Sequence, residues 1–135
     1  MNKLPLVRVV EVAFVSSDVK ECIDFYRKIG MVDLPVNPGR LNFAVVGEQL
    51  YGVCDEKIGF FDAWTGGYSK DWRFHVAFEV PADMLDECIE FLKAKRVKVS
   101  PRIEWDTPFH GVAQSSSVYF LDPAENIIEL WAPKR

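Results

Sequence analysis

The chain carries one pattern twice, and this duplication constrains its fold more than any other feature. "VVEVAFVSS" at residues 9–17 returns as "RFHVAFEVP" at 73–81, with Val-Ala-Phe repeated 64 positions on. "ECIDF" at 21–25 returns as "ECIEF" at 87–91, an offset of 66, and "EQLYGVC" at 48–54 aligns with "ENIIELW" at 125–131, an offset of 77. Self-similarity over three elements in the same order points to two copies of one module.

Residues 7–15 are rich in Val and Phe, as a strand buried on both faces should be. Alternation sets Val10, Val12 and Phe14 on one face and Val9, Glu11 and Ala13 on the other. In "SSDVKECIDFYRKIG" Asp18 and Glu21 have the spacing of a capping box, Val19, Cys22, Ile23 and Tyr26 form one helical stripe, and Gly30 supplies the stop. After the turn-prone "LPVNPGR", "LNFAVV" and "LYGVCD" read as paired strands joined by "GEQ".

The second copy repeats the order. "RFHVAFEV" is a strand, "PADMLDECIEFLKAKRV" a helix with Leu85, Cys88, Ile89 and Leu92 on one stripe, and "SSVYFLDPAENIIELW" a hairpin. One such module has an apolar sheet face that it cannot cover alone, so two would close around a shared concave surface. The predicted fold is α+β: two tandem βαβββ modules, residues 5–62 with the linker and 71–134, forming one domain over 1–135. Their strands would make a cupped mixed sheet with the helices outside. The intervening "IGFFDAWTGGYSKDW", with five aromatics, reads either as a lid or as a linker packed on the sheet edge or a partner subunit.

A length of 135 residues suits one domain with a sizeable core. With 16 basic and 20 acidic residues the net charge is -4, and no Lys or Arg run exists, which argues against nucleic acid and anionic membranes as partners. The N-terminal "MNKLPLVRVVEVAF" lacks a signal-peptide apolar region, and no apolar stretch approaches the roughly 18 residues of a membrane span. A soluble cytoplasmic protein is expected. Cys22, Cys54 and Cys88 are an odd count without C-x-x-C spacing, so neither a disulfide framework nor a thiolate zinc site is indicated.

If the copies pair about a pseudo-twofold axis, equivalent positions converge. Glu11 and His75 are equivalent, and the hairpin alignment makes Glu129 equivalent to Gly52. His75 lies opposite the apolar face formed by Phe74, Val76, Phe78 and Val80. Each of the three polar residues taken alone is more often a salt-bridged, hydrogen-bonded or rim residue than a ligand. Their conjunction with the repeat points to a divalent cation, which would offset the cost of two buried carboxylates and leave coordination positions open.

With these residues in place, the sequence resembles the vicinal oxygen chelate superfamily, which includes glyoxalase I, fosfomycin- and bleomycin-resistance proteins, methylmalonyl-CoA epimerase and type I extradiol dioxygenases. "EVAFVSSDVKECIDFYRKIG" is similar to the family's opening strand and helix and "VYFLDPAENIIEL" to its closing hairpin, so the resemblance covers almost the whole chain. It implies metal ligands at Glu11, His75 and Glu129, with the fourth glyoxalase ligand falling on or near Gly52. The C-terminal segment is most similar to the ring-cleavage dioxygenases. Their signature matches His110, Val118 with Tyr119, Asp122 with Pro123, and Glu129.

The dioxygenase resemblance implies catalytic roles for His110 and Tyr119, as acid/base and hydrogen-bond donor. Read from the residues alone, they fit a loop histidine and a core aromatic. Glu11 stands where the dioxygenases carry His, and two carboxylates with one imidazole favour oxygen-preferring metals, Fe(II) or Mn(II) ahead of Zn(II) or Ni(II). The expected partner is an oxygen-bearing small molecule, and short two-module relatives suggest a homodimer. Two alternatives stay open: a metal-free protein of the bleomycin-resistance type that sequesters a drug or antibiotic, and a metal-dependent lyase, isomerase or thiol transferase.

Overall fold

The computed structural model describes residues 1–37, 39–56, 74–124 and 126–135. The aromatic segment 58–72 lies outside them. The elements run β1 (Arg8–Ser16), α1 (Val19–Lys28), β2 (Val32–Asn37), β3 (Leu41–Val46), β4 (Gln49–Asp55), β5 (Phe74–Glu79), α2 (Leu85–Ala94), β6 (Ile103–Trp105), β7 (Gln114–Leu121) and β8 (Ile127–Lys134). A 3₁₀ turn at Ala82–Met84 leads into α2.

All eight strands join one mixed sheet in the order β2-β3-β4-β1-β5-β8-β7-β6. The first strands of the two modules pair antiparallel at its centre, with Val12 opposite Val76. On either side a parallel pair follows, β1 with β4 and β5 with β8, and then antiparallel strands to both edges. The order is its own mirror about the β1–β5 seam, as the duplication predicts.

The helices cover one face. Val19 and Ile23 of α1 pack on Val53, and Leu85, Cys88 and Leu92 of α2 pack with Val80, Val118, Leu130 and Ala132. Burying each of these large aliphatic side chains is worth about 1.5–3 kcal/mol, which fixes which face of the sheet turns outward. The Asp18 carboxylate caps α1 by accepting from the Glu21 amide at 2.9 Å, and Gly30 leaves the helix at φ 96°. No helix among the described residues is long and apolar enough to cross a membrane.

Two local expectations are corrected. The turn-prone "LPVNPGR" lies partly in β2, because an edge strand tolerates Pro35, whose missing N–H is not needed for a second neighbour. In β1 the register slips between Val9 and Glu11. This bulge puts Val10 on the same side as Glu11, packed with Ala77 and Trp131, where strict alternation placed it opposite.

Candidate metal centre

Three strands deliver the predicted residues to the concave face. Glu11 of β1 and Glu129 of β8 both stand opposite Ala77 of β5, so one row reads Glu11–Ala77–Glu129. His75 stands in the next row, between Ala13 and Ile127. Because Ala13 and Ala77 have minimal side chains, the two carboxylates can lean across to the imidazole.

His75 Nε2 lies 3.0 Å from a Glu11 oxygen and 3.1 Å from a Glu129 oxygen. One ligand atom from each of the three residues falls within 4.8 Å of the others. All three side chains are buried, at 9%, 3% and 6% exposure for Glu11, His75 and Glu129.

The tautomer follows from the second nitrogen. His75 Nδ1 is 2.9 Å from the Ile127 carbonyl, which can only accept, so Nδ1 carries a proton. In the neutral ring the Nε2 lone pair would then face two carboxylate oxygens. That arrangement is repulsive until a cation sits among the three atoms. A proton on Nε2 meets the requirement, and so does a divalent metal with one nitrogen and two oxygen donors. Burial alone would push the imidazole down, but the hydrogen-bonded Glu11 and Glu129 carboxylates outweigh it and lift His75 to about 10.

Outer partners orient the cluster. Ser117 donates to the other Glu129 oxygen and itself accepts from the Trp105 indole N–H at 3.0 Å. Such supports fix ligand geometry in metal sites. Neither Trp105 nor Ser117 stood out in the sequence. The signal lay in β7: alternation puts Ser117 and Tyr119 on one face, beside Glu129.

Tyr119 is the cross-strand partner of Glu129, 3% exposed, with its ring 6.0 Å from that of His75. Burial first, then the Glu129 and Glu11 charges, push its phenol well above the ordinary range, so it stays protonated. His110 comes from the loop between β6 and β7, with its ring 4.6 Å from Trp131 and its Nδ1 buried without a partner among the described residues. Burial lowers its pKa, against the opposing pull of Glu11 and Glu129, so the ring is neutral near pH 7. Cys54 is also buried close to Glu11, and burial, then that charge, push its thiol to about 12, so it is a protonated thiol in the metal-free protein and stands outside the converging Glu11, His75 and Glu129 donors.

Gly52 confirms the asymmetry of the two halves. It pairs with Ala13 as Glu129 pairs with Ala77, so the equivalence inferred from the hairpins holds in the register. A Cβ at Gly52 would come within 2.8 Å of the Phe43 ring and 2.9 Å of Ala13 Cβ. The position at which the resemblance to glyoxalases puts a fourth ligand is filled here by Phe43. Gly52→Ala is accordingly expected to destabilise the protein by about 1–3 kcal/mol through overpacking. Urea denaturation checks this, and Gly52→Ala combined with Phe43→Leu should recover part of the loss.

No family model matches the chain, and no curated protein matches it. Solved structures do. The 2,3-dioxygenase LapB from Pseudomonas sp. KL28 superposes with a TM-score of 0.63 at 18% identity, over 98% of this chain and 42% of that one. A glyoxalase/bleomycin resistance protein/dioxygenase superfamily member from Vibrio splendidus 12B01 gives 0.57 at 12% identity, over 93% and 97%. The NAD-dependent benzaldehyde dehydrogenase from Legionella pneumophila gives 0.56 at 16%, over 92% and 98%. The architecture is the vicinal oxygen chelate fold. At these identities the likeness establishes the fold alone, and the activity must be argued from the site.

Proposed function

We propose that this chain is a vicinal oxygen chelate superfamily protein that holds a divalent metal, Fe(II) or Mn(II), on Glu11, His75 and Glu129 and binds an oxygen-bearing small molecule there. The observation that carries this reading is the His75 ring, tied through Nδ1 to Ile127 and presenting Nε2 to two buried carboxylates. A divalent ion in that position would supply Lewis acidity to ligand oxygens. Metal analysis of protein purified without a metal-leaching column, followed by titration with Mn(II) and anaerobic Fe(II), tests it. About one ion per chain is expected, and no uptake of any divalent ion refutes it.

The finer reading is an extradiol-type dioxygenase. Tyr119, protonated beside Glu129, would donate a hydrogen bond, and neutral His110 would take or return a proton through its unpartnered Nδ1. With metal-loaded protein and a catechol panel, oxygen uptake is expected, and His110→Ala or Tyr119→Phe should each lower turnover by about 10²–10⁴-fold. Absence of uptake with every catechol redirects the reading to a metal-dependent lyase or isomerase.

One observation favours a metal-free binding protein instead. Protonated His75 bridges both carboxylates and leaves the cluster with one net negative charge, which a cationic ligand can meet without a metal. Saturable tryptophan quenching by a cationic drug such as bleomycin, undiminished by chelator, would support that reading.

A further inference from the structure

The loop over residues 106–113 joins β6 to β7, and its contacts reach the other half of the molecule. The Phe109 ring lies 5.7 Å from that of Trp105 on edge strand β6 and 6.2 Å from that of Phe43 on β3. Five strands separate β3 from β6 in the sheet order. In a flat sheet with strands about 4.8 Å apart, those two strands would stand nearly 30 Å from one another. A single ring bridging them therefore spans the mouth of the curled sheet.

What lies beneath is the metal centre. Phe43 packs on Gly52, which continues through Ala13 to His75 in one row across β4, β1 and β5. Trp105 leads through Ser117 to Glu129. Val112 of the same loop packs against the cluster of Val10, Ala77 and Trp131, and Ala77 stands between Glu11 and Glu129, so the loop lies over the row that holds the two buried carboxylates.

The closed loop is not fully satisfied. His110 adopts φ 52° and Gly111 φ 80°, two successive left-handed residues, and only the second lacks the side chain that disfavours this. His110 Nδ1 and Trp131 Nε1, on rings in contact, are both buried without a partner among the described residues, as is Ser115 Oγ. Within the loop, backbone hydrogen bonds run from the Phe109 amide to the Thr107 carbonyl and from Val112 to Phe109, and the Gln114 side chain closes its base on Asp106. Apolar contacts and a hydrogen bond between His110 and the Glu48 backbone hold the loop down, while strain and unsatisfied polar atoms favour its release.

We propose that residues 106–113 form a lid over the Glu11–His75–Glu129 centre, with Phe109 as the latch that docks between Phe43 and Trp105. The lid opens locally, without unfolding of the sheet, to admit ligand. The inference rests on the centre being the ligand site, so its test uses metal-free protein in chelator and the lid can fail independently of the metal.

Amide exchange by mass spectrometry gives the first readout. Phe109→Ala should accelerate exchange of the Val112 amide region by about tenfold or more, while β7 and β8 amides keep their protection. The second readout is modification by diethyl pyrocarbonate, mapped by peptide, since His75 and His110 are the only two histidines. His110 should react about tenfold faster in Phe109→Ala, with Phe109→Leu falling between it and the wild type. Loop exchange and His110 reactivity within about twofold of wild type would overturn the proposal. So would acceleration of β7 and β8 together with the loop in both variants, because opening would then be global unfolding.

Discussion

His75→Ala is expected to abolish metal uptake and to destabilise the metal-free protein at the same time. Loss of a direct ligand should weaken Mn(II) binding by more than the roughly 10–100-fold that follows loss of an outer-shell partner. In the metal-free protein the substitution leaves Glu11 and Glu129 buried side by side with their cation removed. Breaking a buried ion pair from one side typically costs about 3–5 kcal/mol. Isothermal titration with Mn(II) and urea denaturation in chelator measure the two effects. If His75→Ala binds Mn(II) as tightly as wild type, the centre is not where the metal goes. If its stability is unchanged, the imidazole does not hold the carboxylates together.

The second large effect is a dependence of stability on pH with a definite sign. The folded His75 imidazole is raised to about 10, above the roughly 6.5 of an unfolded chain. A group raised on folding contributes stability that is complete below its unfolded value and disappears as pH rises through its folded value. The metal-free protein should therefore lose stability between about pH 6.5 and pH 10, at up to about 1.4 kcal/mol per pH unit. Urea midpoints at several pH values in chelator check this, with His75→Gln as the variant in which the slope should vanish between about pH 6.5 and pH 8, below the range in which the buried Cys54 thiol adds a slope of its own. Metal affinity should move the opposite way over the same window, because binding must displace the Nε2 proton. A wild-type profile as flat as that of His75→Gln would show that His75 is not charged in the metal-free fold.

Much of this was legible in the chain because duplication leaves a periodic record. Offsets of 64, 66 and 77 predicted the module, the pseudo-twofold seam and the equivalence of Glu11 with His75. Alternation placed His75 opposite Phe78 and Val80, and the structure has Phe78 and Val80 packed on the α2 side. Where the pattern misled, a local irregularity was responsible. The bulge at Val10 reverses the facing of both Val10 and Val9, which stands opposite Phe78 of the helix-side face, and Pro35 disguised edge strand β2 as a turn.

Taken alone, the sequence determined the two-module α+β fold and nominated Glu11, His75 and Glu129, whose donor atoms the structure brings together, since period and repeat are properties of neighbouring positions along one chain. Only the tertiary structure decided the rest. That the Gly52 position is closed by Phe43, that Trp105 supports Glu129 through Ser117, and that Phe109 bridges β3 and β6 all depend on curvature. Curvature sums small twists over eight strands and joins side chains far apart in sequence, so no local pattern of residues records it.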